Sequence, residues 1–227
     1  MVTANGADER GSRPIANDTE KVYGIDISNS SQLGRFYGWP DFFGNAQPVT
    51  DPVFQSPRGG GKPLEFLMQN HPLVEKPLVE LSTGAALAQV DFSRSSSKNN
   101  NNDNNTDKFG LSNMAFIAEF GIMAPISHLP GSIKNQEERG IVGQKVVMLD
   151  PQTKNYSDFI SLKTPDKGFR PVGISFNTIE DALYIASIGK VEVRTTLPNN
   201  NGTQLPEPVP WYYPNTGVIW KMTKIPR

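Results

Sequence analysis

Two carboxylates stand side by side in a polar turn near the start of the sequence. Asp8 and Glu9 follow Gly6 and Ala7, and calcium binds carboxylate and backbone carbonyl oxygens of this kind. A calcium ion takes about six to eight such oxygens, so four adjacent residues supply too few, and their spacing differs from that of an EF-hand loop. From these residues alone a solvated acidic turn is the favoured interpretation, and a calcium site is the alternative.

Both histidines of the sequence lie beside or close to proline in loop-like segments. His71 precedes Pro72, and His128 is followed two residues later by Pro130. A histidine that acts as a general base needs a partner within hydrogen-bond reach. The sequence has no cysteine and no Gly-x-Ser-x-Gly elbow, so a loop role is favoured over catalysis for both. The lack of cysteine also excludes disulfides and thiolate zinc sites.

The charge balance excludes whole classes of partner. Lysine and arginine number 22, aspartate and glutamate number 23, and the net charge is -1. Such a chain has no electrostatic attraction for nucleic acid or for an anionic membrane surface. No apolar run approaches the ~20 residues of a membrane span. The polar residues 1–14 also lack the apolar segment of a signal peptide.

Short runs rich in β-branched and aromatic residues, separated by turn residues, indicate β-strands throughout the chain. No segment has a helical periodicity longer than about two turns. The sequence therefore predicts an all-β fold. The predicted strands are residues 22–27, 87–92, 115–120, 145–149, 159–162, 172–176, 182–186, 190–195 and 218–223.

Two segments interrupt these strands. Residues 45–77 are rich in proline and glycine, which predicts a long irregular connection. Residues 93–108 are dominated by asparagine, serine, aspartate and lysine. Such a composition buries too little apolar surface to fold, so it predicts a disordered surface insertion.

The predicted strands fall into repeating sets. Four of them, between residues 87 and 162, form one set, and three of those that follow, between residues 172 and 223, begin a second. Four antiparallel strands that recur every ~40–50 residues are typical of propeller blades. We therefore expect residues 1–227 to form the C-terminal part of one β-propeller domain, with about two and a half blades. Open blade edges pair with other chains, so self-association is expected.

Five segments, in their order along the chain, resemble the C-terminal half of the glucose/sorbosone dehydrogenase-like proteins. They are Asn5–Asn17, Phe36–Gly44, Ala115–Gly121, Gly168–Ile174 and Gly217–Thr223. The resemblance implies a six-bladed propeller, an extracytoplasmic location, and oxidation of a sugar or other alcohol. It also implies pyrroloquinoline quinone as cofactor, held beside a calcium ion.

The resemblance assigns roles to individual residues. The backbone carbonyls of Gly6 and Ala7 would bind calcium. Arg170 would hold the carboxylates of the quinone, for which its planar fork of donors is suited. Gly168 stands where quinone-dependent members have a second arginine, and Glu119 stands near the position of a cofactor-contacting lysine.

In the family, the catalytic histidine lies in the N-terminal half of the propeller, and that half has no counterpart in these 227 residues. We therefore expect the isolated chain to have no catalytic activity. Because of Gly168 and Glu119, a second hypothesis stays open: a non-catalytic extracytoplasmic propeller that acts as a binding or scaffold module.

The aromatic residues outside these motifs have their own expectations. Trp39, Tyr184 and Trp220 are predicted to lie in the core, because aromatic side chains dominate the packing between blades. The run Trp211–Pro214 follows a long polar loop. It is predicted to fasten that loop to the sheet, and the alternative is a stacking surface for a sugar.

Overall fold

The computed structural model describes residues 1–6, 12–93, 111–121, 142–161, 168–177, 182–195 and 208–223. Within these ranges the regular secondary structure consists mainly of short strands, which confirms the all-β class. The strands are β1 (Val2–Ala4), β2 (Glu20–Tyr23), β3 (Phe42–Phe43), β4 (Gln47–Pro48), β5 (Val79–Leu81), β6 (Leu87–Phe92), β7 (Ala115–Glu119), β8 (Lys145–Leu149), β9 (Tyr156–Ser161), β10 (Pro171–Phe176), β11 (Leu183–Ser187), β12 (Val191–Thr195), β13 (Pro208–Tyr212) and β14 (Val218–Met222). Short 3-10 helices span Ser30–Gln32, Pro52–Phe54 and Pro57–Gly59.

Three antiparallel sheets contain most of these strands. Sheet 1 has the order β1-β2-β5, sheet 2 the order β6-β7-β8-β9, and sheet 3 the order β10-β11-β14. The pairs β3-β4 and β12-β13 form separate two-stranded sheets. The strand sets predicted from the sequence are confirmed in sheets 2 and 3. None of the described sheets closes on itself.

The same glycine contact recurs after the C-terminal end of one strand in each of the three sheets. Gly6 follows β1, Gly121 follows β7 and Gly189 follows β11. A Cβ atom at these positions would lie 2.8, 2.7 and 2.3 Å from backbone atoms of the segment that leads into the next paired strand. Only glycine permits so close an approach. We call this end of the strands, marked by the three glycines, the glycine edge; the term does not refer to an outer strand of a sheet.

Side chains of β6 cap the free edge of β10. Gln89 Oε1 accepts the Ile174 N–H at 3.0 Å, and Asp91 Oδ2 accepts the Phe176 N–H at 2.8 Å. Both strands also carry a β-bulge close to their first residue. These bonds satisfy backbone donors that sheet 3 leaves without a strand partner, and they fix sheet 2 beside sheet 3.

Strand β7 is buried on both faces, which explains its continuous apolar sequence. Ala115 and Ile117 face sheet 1, and Phe116 and Ala118 face sheet 3, because successive side chains of a strand alternate. Both faces are therefore core. The first core comprises Val22, Leu81, Ala85, Leu87, Ala115, Ile117, Val147 and Leu149. The second comprises Phe116, Ala118, Val146, Phe169, Ile174, Leu183 and Ile185.

The long connection between β2 and β5 has a small core of its own. Phe43, Val49 and Phe54 pack there against Ile15. The part predicted to be irregular, residues 45–77, contains two 3-10 helices and β4. The Asn-rich segment predicted at 93–108 lies outside the described residues apart from Ser93. In the part of the chain that the structure describes, no helix has the length and apolar character needed to cross a membrane.

The prediction that Trp39, Tyr184 and Trp220 lie in the core is wrong. Their exposed fractions are 69%, 36% and 47%. Trp220 lies on β14, the last strand of sheet 3, and Tyr184 lies on the neighbouring strand β11. Among the described residues no further sheet covers them, so strand-like sequence did not bring burial. Trp211 is on β13, which pairs with β12; residues 196–207 of the loop lie outside the described residues, so the expected fastening stays a prediction.

Candidate functional site

Gly6, the first site residue expected from the sequence, lies two residues after the end of β1. Its N–H donates to Glu20 Oε2 at 2.7 Å. A Cβ atom here would lie 2.8 Å from the carbonyl oxygen of Asp18, so no larger residue fits without a backbone shift. Ala7, the second expected residue, lies outside the described residues together with the two carboxylates that follow it.

Glu20 ties Gly6 to the connection between sheets 1 and 2. This glutamate is only 3% exposed, and its Oε1 accepts the N–H groups of Gly84 and Ala86 at 3.2 Å each. Burial raises the pKa of Glu20, while the three backbone donors and the nearby Lys21 oppose the rise. Glu20 therefore acts as a bridge between β1 and the start of β6.

Arg170 lies directly before β10 and faces the end of β7. Its N–H donates to Ser187 Oγ at 2.9 Å, and Nη1 donates to the carbonyls of Phe120 and Gly121 at 3.3 Å each. The guanidinium carbon also lies 5.1 Å from the centroid of the Phe120 ring. The residue is 4% exposed, and burial lowers its pKa.

A path of hydrogen bonds joins the two predicted sites. From Gly6 it passes through Glu20 to Ala86, whose carbonyl accepts the Phe120 N–H at 2.9 Å. The Phe120 carbonyl in turn accepts Arg170 Nη1. The structure therefore brings Gly6 and Arg170 to the same glycine edge, although each belongs to a different sheet.

The cofactors implied by the resemblance find no complete site among the described residues. Arg170 is buried, and its Nη1 donates to two backbone carbonyls. Within the described ranges, no group of three or more histidine, aspartate or glutamate side chains could hold a metal ion. Gly6 offers a single carbonyl for calcium. The roles assigned to Gly6, Ala7 and Arg170 stay predictions.

A pocket of about 380 Å³ opens beside Gly6. Its polar wall is a buried ion pair, in which Lys21 Nζ donates to Asp18 Oδ1 at 2.6 Å. The ammonium also donates to the Thr19 carbonyl at 2.9 Å, and Asp18 Oδ1 accepts the Gly44 N–H at 2.8 Å. Both charges are thus held in place by backbone groups as well as by each other.

Most of the remaining wall of the pocket is aromatic, beside Ala4 and Asn5. The aromatic part is formed by Tyr23, Tyr37, Trp39, Phe42 and Phe43. The Tyr23 hydroxyl donates to the Tyr37 carbonyl at 3.2 Å, and burial, followed by the nearby acidic groups, raises the pKa of Tyr23 to about 12. Tyr23 is therefore a neutral phenol. The Trp39 ring, which is 69% exposed, rests edge-on against Phe43 with 6.0 Å between the ring centroids.

A second polar cluster is centred on Asp41, which is fully buried. Its carboxylate accepts the N–H groups of Leu67 and Met68, lies 2.9 Å from Arg13 Nη2, and lies 3.0 Å from His71 Nε2. Burial alone would raise the pKa of Asp41, but these donors outweigh it and hold the pKa at about 2. Asp41 therefore fixes the loop that carries His71.

The comparisons with known proteins add no family. No family model, no curated protein and no solved structure matches this chain. The likeness to the glucose/sorbosone dehydrogenase-like proteins therefore depends on the five sequence segments alone.

Sequence reasoning missed the ion pair that forms the pocket. Asp18 and Lys21 are three residues apart at the start of a strand, where opposite charges usually face water. No spacing rule identifies such a pair as buried, because its burial depends on the connection that follows β2. Asp41 lies within the segment Phe36–Gly44, but its role as an acceptor for four residues could not be read from that segment. His128 lies outside the described residues.

Proposed function

We propose that the chain forms part of a β-propeller of the glucose/sorbosone dehydrogenase type. Three features support this fold: sheets 1, 2 and 3 repeat the glycine edge, they follow one another along the chain, and each neighbouring pair shares one core. Blades of a propeller pack face to face in the same sequential manner.

Within this fold, we propose that the pocket beside Gly6 binds a sugar or a related polyol. The observation that carries the proposal is the combination of the buried Asp18–Lys21 pair with five aromatic side chains. The C–H faces of a sugar ring stack on aromatic rings, while its hydroxyls bond to fixed charges. Its volume of about 380 Å³ lies within the range of about 300–1,000 Å³ that is usual for small-molecule sites.

Oxidation of the bound sugar by a quinone is the activity that the resemblance implies. The described residues favour the alternative, a binding module, because Arg170 is directed towards the Phe120 and Gly121 carbonyls. Glu119 also leaves the cofactor-contacting position without a positive charge. We therefore propose sugar binding as the function of this part of the propeller.

The test is a titration of the full chain with neutral monosaccharides, in which NMR and tryptophan fluorescence monitor binding. Changing Trp39 to Ala removes the exposed ring at the pocket mouth and should weaken binding about three- to tenfold. Trp211→Ala is the matched control, because Trp211 is 48% exposed and lies on β13, away from the pocket. Equal loss in both variants, or no binding by the unaltered chain, would overturn the proposal.

A second titration, with pyrroloquinoline quinone and calcium, separates binding from oxidation. Micromolar binding that Arg170→Lys abolishes, together with reduction of a dye in the presence of sugar, would replace the binding module by a dehydrogenase. Sugar binding without quinone binding would support the module.

A further inference from the structure

Glu119 is a carboxylate enclosed between sheets 1 and 2. It ends β7 on the same face as Ile117, and it is 2% exposed. Its Oε2 atom has no hydrogen-bond partner. A buried carboxylate oxygen without a donor is strongly disfavoured in the ionised form.

The nearest cation does not satisfy this carboxylate. Lys145 Nζ lies 3.9 Å from Glu119 Oε2, but it donates to Asp158 Oδ1 at 2.7 Å. From sheet 1, the carboxylate of Glu20 faces the same region and accepts three backbone N–H groups. Because those donors favour the ionised form of Glu20, the proton of the pair belongs on Glu119.

We propose that the protonation state of Glu119 controls the contact between sheets 1 and 2. When protonated, Glu119 packs against the Glu20 bridge without repulsion. When ionised, its charge repels Glu20 and loosens the bonds that Glu20 makes with Gly6, Gly84 and Ala86. Since Gly6 lines the pocket, the contact controls one wall of it.

The electrostatic surroundings place this change near neutral pH. Burial, reinforced by Asp158 and Glu20 and opposed by Lys145, raises the pKa of Glu119 to about 7. A carboxyl with a raised pKa in the folded state contributes its full stability below its unfolded pKa, near 4.5. That contribution is lost as the pH rises towards 7.

Carboxyl-carbon NMR of the full chain tests the first half of the proposal. The signal that disappears in Glu119→Gln should titrate with a midpoint near 7. Asp158→Asn supplies an independent variant, because the Asp158 side chain is 52% exposed and its loss leaves Lys145 to Glu119. The midpoint should then fall. A midpoint near 4.5 in the unaltered chain would overturn the proposal.

Amide hydrogen exchange tests the second half without any ligand, so its outcome is independent of sugar binding. Protection of the Gly6, Gly84 and Ala86 amides, relative to Glu119→Gln, should fall about tenfold per pH unit between roughly pH 5 and 7 and then stay level. The Phe176 amide, which Asp91 accepts in another interface, is the control. Equal pH dependence in both chains at all three amides would refute the contact.

Discussion

Lys21 and Lys145 occupy the same register position in consecutive sheets. Lys21 lies opposite Ala4, the last residue of β1, and Lys145 lies opposite Glu119, the last residue of β7. In sheet 1 the position opposite the lysine has only a methyl group, and the lysine pairs with Asp18 in the wall of a pocket. In sheet 2 the same position holds a buried carboxylate. The residue opposite the lysine, Ala4 in sheet 1 and Glu119 in sheet 2, thus distinguishes a candidate ligand site from a candidate pH-sensitive contact.

Changing Lys21 to Met should destabilise the chain strongly. Both members of the ion pair are buried, with side-chain exposures of 8% and 1%. Removal of the lysine takes the Lys21 ammonium away from the buried Asp18 carboxylate, and breaking a buried ion pair costs roughly 3–5 kcal/mol. Urea unfolding measures the loss.

The matched control for that prediction is Arg35→Met. Arg35 pairs with Glu75 at 2.8 Å, but the two side chains are 39% and 30% exposed. Its loss should cost less than about 1 kcal/mol. Similar losses in the two variants would show that the Asp18–Lys21 pair is solvated in solution.

Asp41 should make the chain sensitive to acid. Its pKa is held at about 2, below the ordinary 3.8, so its contribution to stability is present above about pH 4 and is lost as the pH falls through 2. Asp41→Asn should remove this part of the pH dependence. Thermal unfolding of both chains between pH 6 and 2 measures the difference, and parallel curves would contradict the assignment.

Most strands of sheets 2 and 3 could be read from the sequence, including the exposed strand β14 at the end of sheet 3. Predicted and observed bounds agree to within one residue for β6, β7, β8, β10, β11, β12 and β14, because runs of β-branched and aromatic residues between turn residues mark these strands. Strand β1 was missed, since VTA is too short to carry a pattern, and β13 was missed because Pro208 and Pro210 mark it as a loop. Local sequence carries no information on which distant backbone will pair with such segments.

The candidate site, like the fold, could be predicted from the sequence only in part. Gly6 was identified because a motif contained it, and the close approach of the Asp18 carbonyl gives the physical reason for the glycine. The exposure of Trp39 could not be predicted, because an aromatic ring beside a turn fits a core as well as a pocket mouth. Only the path of the β2–β5 connection decides between them.

Gly121→Ala should cost more stability than a change at an equally strained but open glycine. Gly121 has φ +88° and its Cβ would lie 2.7 Å from the Val142 carbonyl oxygen. Gly34 has φ +75° with nothing within 4 Å, so Gly34→Ala should cost only the ~1–2 kcal/mol of a left-handed backbone. Denaturant unfolding should show at least about twice that loss for Gly121→Ala. Equal losses would mean that the glycine edge is loosely packed.

We expect the isolated chain to self-associate through β14, the strand at the edge of sheet 3. Val218, Ile219 and Trp220 are 43%, 74% and 47% exposed on a strand at the end of its sheet. An apolar edge strand pairs readily with another chain. Sedimentation velocity of the 227-residue chain at micromolar concentration should show species larger than a monomer.

Changing Ile219 to Lys should shift that distribution towards the monomer, because a charge on an edge strand opposes pairing. Leu73→Lys separates edge pairing from general surface hydrophobicity. Leu73 is 88% exposed and lies outside the strands, so its change should leave the distribution unaltered. If both lysines act equally, association depends on apolar surface in general. If the unaltered chain sediments as a single monomer at all concentrations, β14 is protected by residues beyond those described.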